Sequence, residues 1–335
     1  MHKLIVSAVL ATIVGVSLFQ MSADSQSPQV EVVGRAMFNK WLMEYGKAYG
    51  NNDEKEFRYQ NFKANAEEIE SQKNEDYTLV LNEFADLTEE EFLTQRTGNR
   101  NWSEATEDEE EEERENLDDL EVPSSIDWVE RGKVSPVQNQ GACGSCWTFS
   151  ATCAVESHEA IETNTLRKYS EQALVDCGWV YGNKGCNGGW PDKGVKWAAV
   201  YGIPLLEDYP YTARQGDCKI HGKKRYNVNR GVRNIERTNA SLVAAISKKV
   251  TTVAISASAI RFYNSGVFSN WDCLTRLDHA VNAVGYGTDS QSGKMFYKIR
   301  NSWGKGWGEN GYIRFERRNT GTGMCGVTLK AFYPF

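Results

Sequence analysis

Residues 107–113 are seven consecutive acids, and no core can accept them. Neighbouring like charges repel, so a run of this length stays solvated whatever fold surrounds it. It divides the chain into a front piece and a body that differ sharply. Residues 1–121 hold 28 acids and 11 bases, whereas residues 122–335 hold 17 acids and 27 bases. All eight cysteines lie beyond residue 142. At 40% apolar and 25% charged residues, the whole chain is neither disordered nor membranous. An acidic, exposed joint is also where a protease cuts.

The front piece opens with Met1-His2-Lys3 and an apolar run over residues 4–19, followed by Ser22-Ala23. This is the pattern of a secretory signal peptide over residues 1–23, and the run is short for a spanning helix, which needs about 20 residues. Secretory entry permits disulfides and gives meaning to two glycan sequons, at Asn101 and Asn239. Phe38, Trp41, Leu42 and Tyr45 share one helical face. A second helix is expected over residues 53–73, with Phe62, Ala66 and Ile69 on its stripe. Residues 82–87 read as a short extended piece, and Thr88 with Glu91 reads as a helix cap. In the body, residues 146–205 carry helical spacing. Short β-branched and aromatic runs follow at residues 251–255, 280–286, 295–300 and 312–316, punctuated by glycine. A helical half followed by a β-rich half predicts an α+β fold.

The chemistry concentrates in Gln140-Gly141-Ala142-Cys143-Gly144-Ser145-Cys146-Trp147. Cys146, Phe149, Ser150 and Cys153 have helical spacing, which puts Cys146 at a helix N-terminus, where the macrodipole favours a thiolate. Three other readings are a Cys-x-x-Cys redox pair with Cys143, half of a zinc site, and a merely structural thiol. The first lacks a surrounding βαβ pattern and the second lacks a second ligand pair. A thiolate needs a base. His279 is the histidine of the β-rich half, and Asn301 follows 22 residues later, after a strand, beside Trp303. An amide oxygen there can fix the imidazole tautomer, which is the logic of an acyl-transfer triad.

These segments resemble the papain family of cysteine peptidases, in the layout of its cathepsin L-like members. The resemblance rests on residues 140–150, on Gly185-Cys186-Asn187-Gly188-Gly189, on the His279 segment, on Asn301-Ser302-Trp303-Gly304 with Trp307-Gly308, and on Tyr333-Pro334. Thr148 departs from the usual alanine. The resemblance implies a two-lobed fold, helical on the left and β-barrel-like on the right, preceded by a helical inhibitory propeptide. It implies a nucleophile at Cys146, a base and acid at His279, an orienter at Asn301 and an oxyanion donor at Gln140. Substrate would meet Gly188, Gly189, Trp190, Pro191, Ala254, Leu277, Asp278, Trp303 and Lys330. The implied disulfides are Cys143–Cys186, Cys177–Cys218 and Cys273–Cys325, leaving Cys153 free. Lys330 is unusual for this pocket: it either snorkels to solvent or admits an acidic residue and repels Arg.

In the front piece, Glu54, Arg58, Phe62, Asn65 and Ile69 resemble the interspersed propeptide motif, with Lys73 where Asn is usual. Asn82, Phe84 and Asp86 resemble a second motif, with Val80 in place of its leading glycine. The implied organisation is a signal peptide (1–23), a propeptide (24–121, with an inhibitor domain about 35–96 and an acidic linker 97–121) and a mature peptidase (122–335). The expected protein is a monomeric zymogen of a lysosomal or extracellular endopeptidase. It needs no cofactor and no metal, and engages neither nucleic acid nor membrane. Its partners would be peptide substrates, its own propeptide and cystatin-type inhibitors. Two alternatives are a catalytically silent binding homologue and a transpeptidase or ligase. The opposed charges of front and body should attract near neutral pH and loosen as carboxylates protonate.

Overall fold

The computed structural model describes residues 28–98, 102, 113–318 and 321–335. The expected leader, Asn101 and residues 103–112 of the acidic stretch lie outside the described residues. The chain divides into two compact units, one ending at Glu68 and one running from Ile69 to Phe335.

The first unit is built by α1 (Pro28–Glu44) and α2 (Asn52–Ser71), the latter running just past the boundary. Asn51 starts α2 by accepting from Glu54 N at 2.8 Å, while the Glu54 carboxylate accepts from Gly50 N at 3.0 Å. Phe38 and Trp41 of α1 bury their rings against Tyr59 and Phe62 of α2. That contact sets the buried stripe of α2 at Tyr59, Phe62 and Asn65. The expected stripe of Phe62, Ala66 and Ile69 is thereby rotated, and Ala66 and Ile69 are only half-buried.

The second unit runs β1 (Tyr77–Leu79), α3 (Glu89–Thr97), β2 (Arg114–Glu115), β3 (Ile126–Asp127), α4 (Cys146–Thr163), α5 (Glu171–Cys177) and α6 (Pro191–Tyr201). It continues through β4 (Val232–Ile235), α7 (Asn239–Lys248), β5 (Thr251–Ile255), β6 (Tyr263–Phe268), β7 (His279–Thr288), β8 (Met295–Arg300), β9 (Tyr312–Glu316) and β10 (Ala331–Pro334). The strands join in the order β1-β6-β9-β8-β7-β5-β10-β4-β2, with β3 on β7. Pairing is antiparallel except for β6 with β9 and β2 with β4. A separate helical core gathers Trp147, Ala151 and Val155 of α4 with Leu174 of α5 and Val195 and Trp197 of α6. Helix and sheet are thus segregated, as the α+β reading expects.

Two local features position the site. Asn282 Nδ2 in β7 donates to Ser150 O in α4 at 3.0 Å, and Ser150 Oγ donates to Val281 O at 3.1 Å. These bonds lock the start of α4 beside the start of β7. Ahead of the body, residues 82–87 form successive turns instead of the extended piece expected. Ala85 N donates to Asn82 O, and Phe84 N donates to Asn82 Oδ1 at 3.1 Å, so the asparagine side chain wins the backbone away from a strand. Thr88 and Glu91 form the complete reciprocal cap of α3. Among the described residues, no helix is long and apolar enough to cross a membrane.

Candidate active site

Cys146 is the first residue of α4 and is fully buried. It packs in one buried cluster with Ala280, the residue after His279, which brings the start of α4 to the start of β7. His279 opens β7 and is also fully buried. Its Nε2 lies 2.8 Å from Asn301 Oδ1. That oxygen also accepts from Ser302 N at 2.8 Å, which fixes the amide orientation. Nε2 must therefore carry the proton, leaving the lone pair on Nδ1, which is buried without a hydrogen-bond partner. Trp303 stacks on the imidazole at 4.8 Å between ring centroids and covers the bond to Asn301.

Gln140 has no exposed surface. Its Nε2 donates to Cys143 O at 2.9 Å, and its Oε1 accepts from Ser302 Oγ at 2.6 Å. Tyr211 Oη donates to Gln140 O at 2.7 Å and lies 2.7 Å from Ser145 Oγ. The sequence reading missed Ser302 and Tyr211, because nothing in their spacing signals a role.

The front piece covers this centre. Gln140 Nε2 also donates to Arg96 O at 2.7 Å, and Arg96 Nη1 donates to Gly141 O at 2.6 Å. Gly98 follows with φ of +69°. A Cβ there would fall 2.5 Å from Gly188 N, so only glycine passes. Trp102 then fills an apolar pocket with Cys146, Trp190, Ala254, Leu277 and Ala280. Its backbone N–H donates to Leu277 O at 2.6 Å, and its ring lies 6.2 Å from that of Trp190. A signal was present, since Trp102 is the one large apolar side chain between α3 and the acidic run.

Covering changes the electrostatics. Burial pushes the Cys146 thiol up to about 12, with Asp278 adding to the shift and the Ala280 N–H opposing it. Burial draws His279 down to about 4, against the Asn301 bond, with the Arg96 charge assisting. The helix N-terminus alone was expected to favour a thiolate. In the covered site desolvation opposes it, raising the thiol and lowering the imidazole.

Trp190, just ahead of Pro191 at the start of α6, forms one pocket wall. Lys330 Nζ lies 4.1 Å from its ring centroid and Lys193 Nζ 5.5 Å. Gly188 has φ of +91°, whereas a Cβ on Gly189 would strike the Trp147 ring at 2.6 Å, so that glycine serves packing. Asp278 is buried and accepts from Ala257 N at 2.9 Å; burial raises its carboxyl to about 7. Disulfides join Cys143 to Cys186, Cys177 to Cys218 and Cys273 to Cys325; Cys153 is a buried free thiol. Asn239, expected as a glycan acceptor, is buried instead. Its Nδ2 donates to Gly321 O at 3.2 Å and its Oδ1 accepts from Tyr297 Oη at 3.1 Å, which leaves no room for a sugar on the folded chain.

Residues 122–335 match the family model described as Papain family cysteine protease, and residues 38–92 match the Cathepsin propeptide inhibitor domain (I29). The chain belongs to the papain family. Papain from Carica papaya is 40% identical over 306 residues, spanning 89% of this chain and 86% of the relative. Ananain from Ananas comosus is 40% identical over 311 residues, with the same coverage. Among solved structures, a recombinant stem bromelain precursor superposes with a TM-score of 0.79 at 39% identity, covering 90% of this chain and 98% of that one. Digestive procathepsin L 3 of Tenebrio molitor larval midgut gives 0.78 at 32% identity, also covering 90% and 98%. The protein is accordingly a cysteine endopeptidase of papain-like fold, made as a zymogen that its own propeptide inhibits.

Proposed function

We propose that Cys146 attacks the scissile carbonyl after passing its proton to His279 Nδ1. The buried Nδ1 lone pair, without a hydrogen-bond partner, and the packing of Cys146 with Ala280, the residue after His279, support this reading. Asn301 keeps the imidazole in that tautomer and stabilises the imidazolium. The thioester forms as His279 returns the proton to the leaving amine, and water then releases the acid product. The oxyanion is met by Gln140 Nε2 and the Cys146 backbone N–H. Such a donor is worth about 3 kcal/mol in a serine hydrolase. Arg96 O occupies the Gln140 donor in the zymogen, so release of the propeptide frees both the donor and the nucleophile.

The pocket filled by Trp102 takes the substrate's apolar side chain, and Gly188 pairs with the substrate backbone. Lys330 and Lys193, lying against Trp190, bias the pocket toward aromatic and acidic side chains and against Arg and Lys. Cleavage in the acidic linker yields a mature enzyme starting near Val122. The leader pattern and the three disulfides support a secretory route to a lysosomal or extracellular compartment. Acid-activated enzyme should cleave fluorogenic peptides carrying Leu, Phe or Glu at the second position before the cut faster than the Arg peptide. Cys146→Ser should abolish turnover of all four. Arg preferred over Glu would remove the charged-wall account; persistent turnover in Cys146→Ser would remove the nucleophile.

A further inference from the structure

Away from the cleft, residues 219–225 read Lys-Ile-His-Gly-Lys-Lys-Arg, five basic side chains in seven positions. Lys219, His221, Lys224 and Arg225 are exposed and Lys223 is half-buried. The loop is pinned at both ends. The Cys177–Cys218 disulfide fixes its start, and Tyr226 fixes its end by exchanging two 3.0 Å backbone hydrogen bonds with Ile203. Its charges are partly held as well. Lys223 Nζ lies 5.3 Å from the Tyr209 ring centroid and donates to Asp208 O. Lys224 and Arg167 each place their charge 4.9 Å from the Tyr226 ring. Glu207, Asp208 and Asp217 are the nearby exposed acids in sequence, and among the described residues none forms an ion pair with the five bases.

We propose that residues 219–225 are a docking site for sulfated polysaccharide, separate from the peptide-cleaving centre. Short basic runs of this density suit a repeating polyanion. A loop pinned at both ends, with cations already resting on rings, loses little freedom when it binds. Nucleic acid fits less well. The Tyr209 and Tyr226 faces are taken by cations, so no ring is offered for base stacking. Three disulfides also place the folded chain in an oxidising compartment, where sulfated chains are the abundant polyanions.

The test uses the full-length zymogen at neutral pH, with heparin as the probe and a duplex oligonucleotide of equal charge as the rival. The triple variant Lys219→Gln, Lys224→Gln, Arg225→Gln is compared with a control that removes the same charge elsewhere, Lys40→Gln, Arg131→Gln, Arg318→Gln. Equal melting temperatures check that all three proteins are folded. The loop variant should bind heparin at least tenfold more weakly and show a shallower salt dependence, and the control should stay within about twofold. Turnover of a small peptide after activation should be unchanged in the loop variant. Equal losses in the two variants would reduce the effect to net charge and overturn the site. Tighter binding of the duplex than of heparin would assign the loop to nucleic acid instead, and no retention of the wild-type protein on heparin would also overturn it.

Discussion

At the scale of single residues, the front piece meets the cleft through three residues that the family motifs do not mark. Arg96 O accepts from Gln140 Nε2, Gly98 slips past Gly188, and Trp102 fills the apolar pocket beside Trp190. Trp102 is an imperfect plug, because its Nε1 is buried without a hydrogen-bond partner. An unmet buried donor costs about 1–3 kcal/mol, which offsets part of what the ring gains by burial. Trp102→Phe removes that donor while keeping an aromatic ring. It should leave inhibition unchanged or tighten it. Trp102→Ala abandons the pocket and should speed zymogen activation at least tenfold, read as the onset of peptide turnover after a pH jump. Faster activation in the Phe variant than in the Ala variant would show that the indole N–H has a partner role.

At the scale of elements, α3 is the piece that holds Arg96 in place, and it is short. A helix of nine residues is marginal by itself, so its end conditions matter. Thr88→Ala removes the cap and should cost about 1 kcal/mol. The cost should fall on α3 locally: amides of residues 89–97 exchange faster and activation quickens, while the melting temperature of the body barely moves. This element was legible in the sequence because the capping box is a local code. The strands β5, β7, β8 and β9 were legible for the same reason, as uninterrupted β-branched and aromatic runs. Turns at residues 82–87 were not, because Asn82 is held through its bond to Arg261 O, 179 residues away. The stripe of α2 was misplaced by one position because the aromatic face of α1 decides it. Within the candidate site, the pairing of His279 with Asn301 was legible, because an acyl-transfer triad demands an amide beside the imidazole. Ser302 and Tyr211 escaped because hydroxyls that orient another side chain carry no spacing signature. The buried state of Asn239 escaped because a sequon says nothing about packing.

At the scale of the whole molecule, the pH response is a contest between groups of opposite sign. Covered His279 sits near 4, so the covered form binds fewer protons than an open one and loses stability as pH falls from about 6.5 toward 4. Covered Asp278 sits near 7, so it binds more protons and gains stability for the covered form over roughly the same window. The two largely oppose each other. What remains are front-piece carboxylates bound to the body. Asp76 is held below its ordinary value by Lys294 and Ser269, and Asp118 by Ser241 and Thr238. Their stabilisation is present above the ordinary carboxylate range and disappears as pH falls through their lowered values. Activation should therefore accelerate steeply below about pH 4 rather than rise evenly from pH 7. Because the Asp76–Lys294 pair is partly open to solvent, salt should screen part of its attraction. Raising NaCl tenfold at pH 7 should speed opening several-fold, and Asp76→Asn should shift the activation midpoint upward. The check is activation rate against pH at two salt concentrations, in the wild type and in Asp76→Asn. A profile that follows a single group near pH 6.5, is indifferent to salt and is unmoved by the substitution would assign the trigger to His279 alone.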